Sequence, residues 1–165
     1  MTLRKRKIVV PYDGSKSSQK ALKETAILAQ DLQGKVELVL LNVVQEVMIP
    51  AVKLDSPFRS SITGEPITSA EMAKELCQQL KKSASKMLEA KKQNLEEDQI
   101  QGLQVTTKVL LGQPVEKIIE YAHEEKMDMI AIGSVGLSGI SKLKALGSVS
   151  RGVTERAKCP VLIVH

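Results

Sequence analysis

Residues 133–139 read Gly-Ser-Val-Gly-Leu-Ser-Gly, and residues 147–150 read Gly-Ser-Val-Ser, with Lys142 and Lys144 between them. Glycines let several backbone amides converge on one anion without a Cβ in the way. Gly147 and Ser148 also open a helical pattern, and the first N–H groups of a helix are unpaired and lie at the positive end of its dipole. The hydroxyls of Ser148 and Ser150 would add donors, and the two lysines would add charge. The chemistry this arrangement suits is capture of a phosphate group. The same residues also suit a plain chain reversal followed by a serine-capped helix, and the loop alone does not choose between the two.

A second candidate is Asp13, in Val-Pro-Tyr-Asp-Gly-Ser (10–15). Its carboxylate suits sugar hydroxyls or an adenine amine. An Asp-Gly pair is more commonly just the start of a turn. Two familiar phosphate signatures are missing. The first strand-to-helix turn has no G-x-G-x-x-G, and Gly14-Ser-Lys16-Ser17 lacks the glycine that a P-loop places directly before its lysine. No Ser/His/Asp set assembles. His123 falls late in a helix, where a favourable dipole interaction accounts for it, and His165 is the last residue.

These candidates need a frame, and the chain alternates short β-branched runs with helical patterns. Residues 7–12 read as a strand buried on both faces, and 15–33 as a helix with Ser15, Ser17 and Ser18 as cap candidates and Gly34 at its end. Strands follow at 35–44, 103–111, 127–133 and 161–165. Helical spacing starts near Ala70, where Met72, Leu76, Leu80, Ala84, Met87 and Leu88 form a stripe expected to fill core. It starts again at Pro114, with Val115, Ile118, Ile119 and Ala122 inward, and at about 148–157. Residues 45–69, with Pro50, Pro57, Pro66 and Gly64, read as a long functional or mobile connection. The alternation predicts one α/β domain over 1–165, an open five-stranded, mostly parallel sheet with helices on both faces. In such sheets ligands bind beyond the carboxyl ends of the strands, where strand order reverses. Asp13, residues 42–44 and the stretch from Gly133 onward fall at those ends.

Composition narrows the classes. The chain has 165 residues, 42% of them hydrophobic, and a formal charge of +5 with basic residues scattered among acidic ones. That pattern reads as solvated helix faces plus a local phosphate contribution, and does not point to a nucleic-acid partner. Aromatic residues are only 2%, with no Trp, so base-stacking platforms are largely excluded. Cys77 and Cys159 have no metal-ligand or redox spacing and read as buried free thiols. No apolar run approaches the roughly 18–20 residues of a membrane span, and no signal-peptide pattern follows the basic start. The expectation is a cytoplasmic protein without a membrane or metal site.

The assembled motifs resemble the universal stress protein family over nearly the whole chain. They run from residues 10–15 through Leu-Leu-Asn-Val-Val (40–44), Gly112-Gln-Pro114, Asp-Met-Ile-Ala-Ile-Gly (128–133) and the two glycine stretches to Cys-Pro-Val-Leu-Ile-Val (159–164). The nucleotide-binding branch of that family carries G-x2-G-x9-G-(S/T). Here Gly133, Gly136, Gly147 and Ser148 occupy its fixed points, with ten residues instead of nine between Gly136 and Gly147. The resemblance implies a Rossmann-like fold and an adenine nucleotide, ATP or else AMP or ADP, with Mg2+. By it, Pro11, Tyr12, Asp13 and Val43 flank adenine and ribose, and Ile132, Gly133, Val135 and Gly136 line the nucleotide. Gly147, Ser148, Val149 and Ser150 hold the phosphates. It further implies a homodimer through antiparallel pairing of the last strand, Val161–Val164, and a stress-response or regulatory role with little or no catalysis. A nucleotide-free dimeric interaction protein of the same fold, or a slow ATP hydrolase for which Arg151 is a candidate, are the alternatives.

Overall fold

The computed structural model describes residues 5–32, 35–50, 58–135 and 146–165. In chain order the elements are β1 (Arg6–Pro11), α1 (Lys16–Asp31), β2 (Val36–Val44), β3 (Phe58–Arg59), β4 (Pro66–Ile67) and α2 (Ser69–Glu97). Then come β5 (Leu103–Leu111), α3 (Pro114–Glu124), β6 (Met129–Gly133), α4 (Ser148–Arg156) and β7 (Val161–Val164). Five strands form one sheet in the order β5-β2-β1-β6-β7, and every pairing is parallel. A parallel sheet must be covered on both faces, and the core divides accordingly. On one face Ile8, Val10, Leu38, Leu40 and Val105 pack with Leu22 and Ala26 of α1 and Leu88 of α2. On the other, Val9, Val39, Leu41, Ile130 and Ile132 pack with Ile118 and Ala122 of α3 and Val153 of α4.

The expected strands and helices are found with small shifts at their ends; Gly34 lies outside the described residues. The 45–69 connection gains detail, and the α2 stripe needs correction. The connection over 45–69 contains a two-stranded antiparallel hairpin, β3 with β4. The α2 stripe is also only partly core: Ala84 and Leu88 are buried, but Leu80 is 45% exposed and α2 buries no residue before Ala84. Helix length explains this. The 29 residues of α2 span roughly 44 Å at 1.5 Å each, whereas the nine-residue β5 beneath it spans about 30 Å. The helix overruns the sheet.

The overhanging start of α2 is held in two ways. Thr68 and Glu71 form a reciprocal capping box. The hairpin is tied to the helix through Glu75, whose carboxylate accepts from Ser60 Oγ at 2.6 Å and from Ser61 N and Oγ at 3.1 Å each. The Ser60 hydroxyl, and then the Ser61 N–H and hydroxyl, lower the Glu75 pKa, against some desolvation and repulsion from Glu71. A lowered carboxyl pKa favours the folded hairpin above the ordinary value of 4.5, and this is lost as pH falls through the lower folded value. In an NMR pH titration the Ser61 amide should therefore shift with a midpoint below 4.5. A midpoint at or above the ordinary value would contradict the contact.

Candidate functional site

The strand order reverses between β1 and β6. Their register pairs only Ile8 with Met129 and Val9 with Ile130, so the carboxyl ends of the two strands share no ladder pairs. At and beyond the ends of these strands lie Asp13, residues 133–135 and the start of α4, which Ser134 ties to β6.

On the β1 side, Tyr12 extends the pairing with β2 by donating its N–H to Leu41 O at 2.8 Å, and its own carbonyl accepts from Asn42 Nδ2 at 2.8 Å. The Tyr12 ring is buried in the α1/α2 face of the core, and burial, with a smaller contribution from the Asp13 carboxylate, raises its phenol pKa. Tyr12 is therefore packed into the core, with its backbone N–H and carbonyl both engaged with β2. Asp13 Oδ1 accepts from Ser15 N at 3.0 Å across Gly14, which takes φ +81°. The Asp-Gly turn is thus present, and its carboxylate also fixes the entry to α1. Ser15 then caps α1 by accepting from Ser18 N at 3.1 Å.

On the β6 side, Gly133 is a matter of space. A Cβ there would lie 2.5 Å from the carbonyl carbon of Ser17 and 2.7 Å from both its O and Oγ. Backbone atoms cannot rotate away, so only glycine lets α1 sit this close to β6. The next residue, Ser134, is buried and donates its N–H to Val164 O at 2.8 Å. Its carbonyl accepts from Gly147 N at 2.7 Å and from Ser150 Oγ at 2.8 Å. Val135 N lies 3.4 Å from Ser17 Oγ. Gly136, Lys142 and Lys144 lie outside the described residues.

Helix α4 starts at Ser148 with Gly147 as its N-cap, and no side chain bonds that cap. This differs from α1 and α2, whose starts are closed by Ser15 and Thr68. The first turn of a helix has no intrahelical acceptor for its N–H groups. At α4 the capping residue has no side chain to supply one. Ser148 is exposed, Gly147 and Val149 are half-buried and Ser150 is buried. The Ser150 hydroxyl spends its proton on backbone carbonyls, lying 2.8 Å from Ser134 O and 2.9 Å from Gly147 O. The hydroxyl expected as a phosphate donor thus lies against two backbone carbonyls. Val43, Ile132 and Val149 belong to the α3/α4 face of the core, opposite the Tyr12 ring. Sequence reasoning named Ser17 only as a cap candidate, Asn42 only among the strand-end residues and Ser134 only within the glycine stretch; their polar groups join the elements of the opening.

The profile of the Universal stress protein family matches residues 5–165. The chain belongs to the universal stress protein family. Universal stress protein YxiE of Bacillus subtilis is 35% identical over 159 residues, covering 96% of this chain and 98% of that one. The structure of the universal stress protein UspA from Lactobacillus plantarum superposes with a TM-score of 0.75 at 23% identity, covering 99% and 100% of the two chains. Two further universal stress protein structures share the fold and hold nucleotides. One, in complex with cAMP, has a TM-score of 0.57 at 24% identity and covers 97% and 96%. The other, from Arabidopsis thaliana with AMP bound, has a TM-score of 0.59 at 18% identity and covers 96% and 90%.

The tightness at Gly133 has a measurable consequence. Gly133→Ala should destabilise the chain by about 2–3 kcal/mol through overpacking against backbone, read as a lowered midpoint in urea. An unchanged midpoint would show that α1 does not sit this close to β6.

Proposed function

We propose that this universal stress protein is an adenine-nucleotide binding module that takes ATP, or ADP or AMP, in the opening between β1 and β6. The observation that carries this reading is the start of α4, the helix at the strand-order reversal whose capping residue is a glycine without a side-chain bond. Partial positive charge and three first-turn N–H groups, those of Ser148, Val149 and Ser150, suit phosphate oxygens there. The backbone of Pro11 and Tyr12, the Asp13 carboxylate and Val43 flank adenine and ribose. Ile132, Gly133, Val135 and Gly136 line the remainder. Further support comes from the family relationship and from the nucleotides held by two proteins of the same fold.

Magnesium in this reading arrives with the phosphates. Among the described residues no three His, Cys, Asp or Glu side chains cluster as metal ligands. The reading is a regulatory, stress-responsive role in the cytoplasm with little or no catalysis. It includes a homodimer through β7, whose four apolar residues Val161, Leu162, Ile163 and Val164 stand half-buried at the sheet edge. Antiparallel pairing with a second copy would cover an edge that otherwise invites aggregation.

Titration with Mg-ATP should show saturable binding. Gly147→Val, which puts a branched side chain at the mouth of the helix, should weaken it by about tenfold or more, roughly 1.4 kcal/mol. Absence of binding up to millimolar ATP would overturn the proposal and favour a nucleotide-free dimeric interaction protein. The ten-residue spacing between Gly136 and Gly147 gives that alternative its footing.

A further inference from the structure

Three buried serines meet where the chain leaves β6. Ser17 is 7% exposed, Ser134 7% and Ser150 2%. Ser150 Oγ stands within hydrogen-bond distance of Ser134 O and Gly147 O, and it has one proton to donate. Ser134 O therefore receives donors from two places in α4, the cap residue Gly147 and the third helical residue Ser150. On its other side the Ser134 N–H reaches Val164 O of β7. The following N–H, that of Val135, points at Ser17 Oγ in the first turn of α1. One short piece of backbone thus holds the start of α1, the start of α4 and the end of β7.

We propose that Ser150 is a positioning residue and not a phosphate donor: its hydroxyl braces the start of α4 onto the Ser134 carbonyl, with Ser17 bracing α1 beside it. The proposal rests on the nucleotide reading only for what the brace is for. Its geometry concerns the free protein. Turning Ser150 Oγ toward a ligand would give up its contacts with Ser134 O and Gly147 O and with them the tie between α4 and the residue after β6. Fixing the helix start in advance instead presents the N–H groups of Ser148 and Val149 in place before an anion arrives. That lowers the ordering cost of binding.

The test uses the ligand-free full chain. Ser150→Ala removes the brace, and the Gly147 amide, which shares the Ser134 acceptor, should exchange its hydrogen about tenfold faster in the folded variant. Ser150→Thr keeps an oxygen at the same place and should retain wild-type protection. A folded Ser150→Ala variant with unchanged Gly147 exchange overturns the proposal, all the more if its affinity for ATP falls while that for adenosine does not. That pattern belongs to a direct phosphate donor. Should Ser150→Ala fail to fold, Ser150→Thr decides alone: a protected Gly147 amide supports the brace, and an unprotected one overturns it. If neither the wild type nor the variants bind ATP, the nucleotide reading fails while the exchange result still judges the brace.

Discussion

The arrangement depends on how closely α1 approaches the end of β6. At Gly133 the two meet at a distance that no side chain tolerates, with the backbone of Ser17 filling the space where a Cβ would stand. That contact places the start of α1 beside the last residues of β6. The Ser134 carbonyl brings the start of α4 to the same point through Gly147 and Ser150. Two helices that cover opposite faces of the sheet therefore begin at one position, beyond the strand ends. Parallel sheets favour this geometry wherever strand order reverses. Here one glycine and a few buried hydroxyls set its dimensions.

The two helix starts are not equivalent. Ser15 closes α1 with its own side chain, and the Asp13 carboxylate secures the preceding turn. Gly147 offers no such group to α4. A dipole already answered by a cap has less to offer a ligand than one left to solvent. The opening is therefore polarised, with a carboxylate on the β1 side and helix N–H groups on the β6 side. A molecule carrying hydroxyls or an amine at one end and phosphates at the other matches that polarity. Val43, half-buried, and Ile132, buried, belong to the apolar core on the α3/α4 face.

Much of this was legible in the sequence. β-branched runs bounded by turn residues located all five strands of the main sheet, and β5 matches residue for residue at 103–111. Gly112, Gln113 and Pro114 marked the start of α3, where Pro114 needs no N–H partner. The capping box at Thr68 and Glu71 went unread, although a threonine three residues before a glutamate is its signature. Other features could not be read. Periodicity reports which face of α2 is apolar, but not how far the helix extends beyond the sheet, so Leu80 was assigned to a core it does not reach. Two-residue strands carry no alternation, and Pro66 hides β4 further. The residue type at 150 gives a hydroxyl but not its partner. That direction follows only from the meeting of α4 with the carbonyl after β6.

The most direct test of the account follows the backbone amide signals of the isotope-labelled protein while ATP, and separately adenosine, is added. The account predicts that ATP moves the signals of Ser148, Val149 and Ser150 most, and that adenosine leaves those three nearly still while moving signals around Asp13 and Val43. Equal effects of the two ligands at the start of α4, or ATP shifts confined to residues elsewhere, would contradict it.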